Sequence, residues 1–91
     1  MDISVASASG GDSAFDVIVR DGKGESRHVV TLERGTLDRL ASGKKAEEII
    51  EAAFKFLLDR EPKEAILERF DVTVIARYFP EFEQELPRYI K

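Results

Sequence analysis

The segment at residues 21–24, Asp-Gly-Lys-Gly, lies between two runs whose apolar residues recur at every second position. The first run is residues 15–20 and the second is residues 27–32, and a period of two is typical of β-strands. An Asp-Gly step followed by a second glycine allows the positive φ values of a tight turn. We therefore predict an antiparallel β-hairpin over residues 14–33.

Helical periods follow the hairpin. The clearest run, at about residues 45–60, keeps the i, i+3, i+4, i+7 spacing of an amphipathic helix. Its apolar positions are Ala46, Ile49, Ile50, Ala53, Phe54, Leu57 and Leu58. Weaker patterns predict helices at about residues 36–42, 62–70 and 80–87. Thr36 is the expected N-cap of the first of these, and Gly43 follows it where a left-handed residue ends a helix.

Residues 71–79 fit two descriptions. The β-branched residues Val72, Val74 and Ile75 favour a strand, whereas a helical stripe with Asp71 as N-cap also accounts for the spacing. We predict a helix at residues 72–79 and keep the strand as the alternative.

The composition limits the architecture. A chain of 91 residues with 43% hydrophobic and 35% charged residues has the size and balance of one small globular domain. Residues 1–13 are dominated by Ser, Ala and Gly, and we predict a disordered tail there. Residues 14–91 are predicted to form a single α+β domain, in which the N-terminal hairpin is followed by three to five helices.

Several kinds of site are excluded by residue counts. The absence of cysteine excludes disulfides and cysteine-ligated zinc, and the single histidine, His28, excludes a multi-histidine metal site within one chain. We expect no cofactor and no metal. There is no run of even fifteen apolar residues and no basic stretch after Met1, so we expect a soluble, cytoplasmic protein with no membrane partner.

No catalytic constellation is visible. His28 is the only histidine that could act as a base, and its position in a strand beside Val30 favours a partly buried structural role. Glu47 and Glu51 lie one helical turn apart, but they are opposite the apolar stripe and are typical of a solvated face. We therefore predict that the chain is not an enzyme.

The hairpin has apolar residues on both faces, with Val17 on one and Ile18 on the other. A two-stranded hairpin is marginal in water, and a second copy of the chain would cover its second face or its exposed edge. We therefore expect a homodimer.

Near the C-terminus, aromatic and acidic residues alternate. Tyr78 and Phe82, together with Glu81, Glu83 and Glu85, form a candidate surface for an unidentified basic protein partner, unless the aromatic residues belong to the core. The preferred function is a small, non-enzymatic, homodimeric protein-interaction module.

Residues 54–83 contain the motifs Phe-x-Phe-Leu-Leu, Arg-Glu-Pro, Ile-Leu-x-x-Phe-Asp and Tyr-Phe-Pro-Glu. This run resembles a set of short uncharacterised prokaryotic proteins. The resemblance implies a globular cytoplasmic protein, and it assigns no catalytic or binding residue.

The order strand, short helix, longer helix also resembles ribbon-helix-helix DNA-binding proteins, with residues 27–32 as the strand. The resemblance implies an alternative function as a DNA-binding regulator, in which Arg27, Thr31 and Arg34 would contact DNA. The net charge of −4 weighs against this alternative, because such dimers are usually basic.

Overall fold

The computed structural model describes residues 1–8 and 13–90. It contains one sheet, whose strands in spatial and chain order are β1 (Asp2–Ser7), β2 (Ala14–Asp21), β3 (Gly24–Thr31) and β4 (Arg69–Asp71). The first three strands are antiparallel, and β4 joins the free edge of β3 in the parallel direction. The predicted single α+β domain is confirmed.

The helices are α1 (Arg34–Ala41), α2 (Ala46–Leu58), α3 (Ile75–Tyr78) and α4 (Phe82–Glu85), with 3₁₀ turns at Lys63–Ala65, Val72–Val74 and Leu86–Arg88. The predictions of helices at about 36–42 and 45–60 are confirmed, with shifted ends. The N-cap of α1 is Glu33 and not Thr36. Gly43 has a φ of +84°, as expected for a glycine that follows a helix end. None of the helices in the described residues is long and apolar enough to cross a membrane.

The predicted hairpin is formed by β2 and β3. Asp21 pairs with Gly24 across a two-residue loop, and Gly24 has a φ of +144°. The carboxylate of Asp21 accepts a hydrogen bond from the backbone N–H of Lys23 at 2.8 Å. This local bond closes the turn, which explains why the sequence alone predicts the hairpin well.

The prediction of a disordered tail at residues 1–13 is wrong for the segment that forms β1. Ile3 lies opposite Val19 and Val5 lies opposite Val17, so both side chains face the core and pack against it. These two apolar contacts, together with the backbone bonds to β2, offset the ordering entropy of a polar segment. The part of the predicted tail at residues 9–12 lies outside the described residues.

The prediction of a helix at residues 62–70 is also wrong. The chain makes only the 3₁₀ turn Lys63–Ala65 and then extends into β4. The backbone N–H of Val29 in β3 donates to the carbonyl of Glu68 at 2.7 Å. The backbone groups at the free edge of β3 need hydrogen-bond partners. Forming these hydrogen bonds outweighs the weak local preference of residues 62–70 for a helix.

The remaining predictions are closer to the structure. Residues 72–78 are helical, as a 3₁₀ turn followed by α3, and Phe79 follows the end of the helix. The strand is confined to β4. Asp71 caps the turn as predicted, since its carboxylate accepts from the backbone N–H of Thr73. The predicted helix at 80–87 is α4 followed by a 3₁₀ turn that contains Pro87 and does not end before it.

Helix α2 is buried on two sides. The ring of Phe54 faces the sheet, with its centroid 5.3 Å from that of His28. The ring of Phe56 points the other way, toward the C-terminal segment, and lies 5.1 Å from Phe82 and 5.9 Å from Tyr89. Phe56 was absent from the predicted stripe, which assumed a single buried face. The fold is therefore layered, with α2 between the sheet and the C-terminal helices.

The role of β1 can be tested with Val5→Ser. We expect this change to lower the free energy of unfolding by about 1 kcal/mol, because Val5 is partly buried against the core. Ser4→Ala, on the exposed face of the same strand, is the matched control and should change it by less than about 0.5 kcal/mol. Equal effects in urea denaturation would contradict the packing of β1 described above.

Candidate functional site

A groove lined mainly by apolar side chains lies between the C-terminal end of α2, the segment before β4, and α3. It has a volume of about 220 Å³. Its apolar lining includes Leu57, Ile66, Leu67, Phe70, Val74, Tyr78 and Phe79. One carboxylate, that of Glu61, also lines it. We call this feature the apolar groove.

The walls of the apolar groove contain unusually exposed residues. In residues 1–8 and 13–90, the large hydrophobic side chains that are exposed are those of Met1, Leu67 and Tyr78. Leu67 is 48% exposed and Tyr78 is 68% exposed, and both belong to the groove. Two exposed apolar side chains beside an apolar hollow are typical of an interaction surface.

His28 fixes the position of the groove wall on which Leu67 lies. The Nδ1 atom of His28 lies 2.7 Å from the carbonyl oxygen of Leu67, to which it donates, and this leaves Nε2 to accept from the hydroxyl of Ser26 at 2.8 Å. His28 is only 4% exposed. The predicted structural position of His28 is confirmed, and the bond to Leu67 is a long-range contact that no local pattern indicated.

We expect His28→Leu to lower the free energy of unfolding by about 1–3 kcal/mol, because it leaves the Leu67 carbonyl and the Ser26 hydroxyl without their partner. Arg27→Leu, at the neighbouring exposed position, is the control and should have an effect below about 1 kcal/mol. The measurement is urea denaturation. An unchanged stability in His28→Leu would contradict the structural role of the ring.

The turn that precedes Leu67 is held to the hairpin by a buried ammonium group. The side chain of Lys63 is 4% exposed, and its Nζ lies 3.0 Å from the carboxylate of Asp21 and also contacts Glu64. The hydrogen bonds that the Lys63 ammonium donates to the carboxylates of Glu64 and Asp21 raise the pKa of Lys63 above its ordinary value. The backbone N–H of Lys23 and the ammonium of Lys63 lower the pKa of Asp21. The ion pairs therefore fix the turn at neutral pH.

The acidic, aromatic surface predicted at the C-terminus is not assembled. Phe82 is 1% exposed and belongs to the core, because it packs on Phe56. The prediction that Phe82 forms part of a partner surface is therefore wrong. Tyr78 is the one aromatic residue of that set that lies at the surface, and it belongs to the apolar groove.

The three glutamates of that surface each have a basic partner within the chain. Glu81 pairs with Arg60 at 3.1 Å, Glu83 with Arg39 at 2.6 Å, and Glu85 with Arg88 at 3.3 Å. These pairs give each of the three carboxylates a cation, and the pairs with Arg39 and Arg60 tie the C-terminal segment to α1 and to the residues that follow α2. A free acidic patch for a basic partner is therefore not present at these residues.

The residues predicted to contact DNA lie on or near the outer face of the sheet. Arg27 is exposed and pairs with Glu25 at 2.9 Å, and the hydroxyl of Thr31 donates to Asp71 at 2.5 Å. Arg34 is exposed at the start of α1. The outer face of the sheet carries more acidic than basic side chains. The acidic ones are Asp2, Asp16, Glu25 and Asp71, and the basic ones are Arg20, Arg27 and Arg69.

The strand that the ribbon-helix-helix resemblance requires for pairing between subunits is β3. Both edges of β3 already have partners, β2 on one side and β4 on the other. The same arrangement weakens the edge-covering reason for expecting a homodimer, since β1 pairs with β2 and β4 pairs with Val29–Thr31 of β3 within the same chain. A second copy is not needed to pair with β2 or with Val29–Thr31 of β3.

The hydrogen bond from Thr31 affects the pKa of Asp71. Burial would raise the pKa of Asp71, but hydrogen bonds from Thr31 and Thr73 outweigh it and lower the pKa below its ordinary value. The carboxylate therefore adds stability above about pH 4, and this contribution is lost as the pH falls through the depressed pKa.

We expect Asp71→Ala to lower the free energy of unfolding by about 1–2 kcal/mol at pH 7, with the difference from the parent chain shrinking toward pH 2. Asp71→Asn keeps a side-chain acceptor at the cap and is the control, with a smaller loss at pH 7. A difference that stays constant between pH 7 and pH 2 would show that the charge of Asp71 does not contribute.

No group of three or more metal-ligating side chains is found in the part of the chain that the structure describes. Glu51 forms an i, i+4 ion pair with Lys55 at 3.5 Å, and Glu47 is exposed at the start of α2.

Comparisons with protein-family models, curated proteins and solved structures found no match.

Proposed function

We propose that this chain is a small, non-enzymatic protein-interaction module, and that the apolar groove is its binding surface. The observation that carries the proposal is the exposure of Leu67 and Tyr78 beside one apolar hollow. Burying such side chains against a partner stabilises a complex by about 25 cal/mol for each Å² of apolar surface removed from water. The absence of cysteine fits action in a reducing compartment, and we place the protein in the cytoplasm.

The groove also has the rigidity that a docking surface needs. Ile66 and Ile75, which line it, are buried in the core. The backbone at Leu67 is fixed by His28, and Phe79 packs edge-on against Phe56 at 5.8 Å. A preformed groove loses little conformational entropy on binding, which favours protein recognition by the folded chain.

Placement of a photoreactive residue tests this proposal. Tyr78→p-benzoylphenylalanine puts the label at the apolar groove, and Arg27→p-benzoylphenylalanine puts it on the outer sheet face, where the DNA-binding alternative requires contact. Both positions are exposed, so both variants should fold. After irradiation of the native cells, we expect a discrete covalent protein adduct at position 78, and none at position 27.

Leu67→Ser, added to the Tyr78 variant, should remove the adduct, because it makes one wall of the groove polar. An adduct that persists in this variant, or protein adducts at both labelled positions, would argue against the groove as the specific surface. A nucleic-acid adduct at position 27, without a protein adduct at position 78, would favour the DNA-binding alternative.

A further inference from the structure

The two edges of the sheet differ in how well they resist pairing with another strand. β4, at one edge, has three residues, of which Arg69 and Asp71 are charged. β1, at the other edge, has six residues in unbroken register with β2, contains no proline, and carries a single charge, at Asp2. Short length, charges, proline and bulges are the features that keep a sheet edge from pairing with other chains. β4 therefore has a protected edge and β1 does not.

The backbone groups at the edge of β1 can be identified. The N–H of Ala8 donates to the carbonyl of Ala14 at 2.9 Å, and these two residues continue the register of β1 with β2. Because the bonds of an antiparallel pair alternate along a strand, the even-numbered residues of β1 bond to β2. The N–H and C=O groups of Ile3, Val5 and Ser7 point the other way, where residues 1–8 and 13–90 provide no strand.

The apolar layer on the core face of the sheet is incomplete at the same edge. Val17 and Val19 of β2 are fully buried, whereas their neighbours on β1, Val5 and Ile3, are only partly buried against the core. A strand that places apolar side chains beside Ile3 and Val5 on the same face would complete their burial. The edge therefore fits an extended segment that has the same alternation as β1.

We propose that this segment is β1 of a second copy, paired antiparallel about a two-fold axis at Ser4. In this register Ile3 of each copy lies opposite Val5 of the other on the core face, and Asp2 lies opposite Ala6 on the outer face. The Ile3–Val5 pairs use the free N–H and C=O groups, and no like charges lie opposite each other. The two four-stranded sheets then form one sheet of eight strands.

The sequence of β1 selects both the occupant and the register. A foreign strand would have to place apolar residues against Ile3 and Val5 and a small residue against Ser4, and β1 meets these conditions itself. Moving the axis to Val5 leaves each Ile3 opposite Ser7, and moving it to Ile3 shortens the paired part of β1 to residues 2–4. This inference goes beyond the proposed function, because β1 shares no residue with the apolar groove.

A thiol at the axis tests the pairing and its register, because the chain has no cysteine of its own. Residues opposite each other in a non-hydrogen-bonded antiparallel pair have Cα atoms about 4.5 Å apart, within the span of a disulfide. We therefore expect Ser4→Cys to form a covalent dimer under copper–phenanthroline oxidation, measured as a rate on non-reducing gels.

Ala6→Cys is the matched control, since Ala6 is also exposed on the outer face of β1. In the proposed register the two copies of position 6 are about 14 Å apart, too far for a disulfide. We expect cross-linking at position 6 to be about tenfold slower or more than at position 4.

A second pair of variants tests the backbone bonds. Val5→Pro removes an N–H that points to the free edge and leaves the bonds to β2 in place, and proline is tolerated at such edge positions. Val5→Ala shortens the same side chain but keeps the N–H. We expect Val5→Pro to weaken the dimer about tenfold or more relative to Val5→Ala, because each copy loses a hydrogen bond. Light scattering coupled to size exclusion, over a concentration series, measures the dissociation constants.

The outcomes decide the proposal separately from the function of the groove. Cross-linking selective for position 4, with a dimer that Val5→Pro weakens, supports pairing through β1. A parent chain that is monomeric at all concentrations, equal cross-linking at positions 4 and 6, or a dimer indifferent to Val5→Pro overturns it. If circular dichroism shows that Val5→Pro is unfolded, the cross-linking rates alone decide. The adduct at position 78 tests the apolar groove independently of all these results.

Discussion

Burial of α2 on two sides is the constraint on which the rest of the structure depends. Phe54 needs the sheet on one side and Phe56 needs the C-terminal segment on the other, and a helix that is apolar around most of its circumference is stable only inside a domain. A chain of 91 residues has few residues from which to build a covering layer on each side of α2. This shortage explains why a polar segment is recruited as β1 and why the last residues fold as short turns around Phe56.

The elements set by local chemistry could be predicted from the sequence, and those set by distant partners could not. The β2-β3 hairpin is closed by a turn whose bond joins Asp21 to Lys23, two residues apart. β4 exists because the edge of β3 requires hydrogen-bond partners, which come from the carbonyl of Glu68 and its neighbours, about forty residues away. Nothing in the residues around Glu68 indicates that demand, so their helical pattern was misleading.

The same distinction explains how much of the candidate site could be predicted. Tyr78 was selected because an aromatic residue in an acidic run is visible locally, but Phe82 has the same local appearance and is buried by Phe56. Leu67 lies within the predicted helix at residues 62–70, but in the structure this part of the chain is not helical, the carbonyl of Leu67 accepts from His28, and its side chain is half exposed. Exposure is a property of the whole packing arrangement, and sequence period alone does not determine it.

The apolar groove follows from the small number of residues that are available to cover α2. The chain between α2 and α3 must reach the edge of β3, and it does so through an extended segment. Ile66 and Phe70 line the groove beside this segment, together with Leu67 and Tyr78. Tyr78 is largely in solvent, so a polar residue at that position would cost the core little. The exposed apolar side chains of Leu67 and Tyr78 are what the proposed binding surface requires.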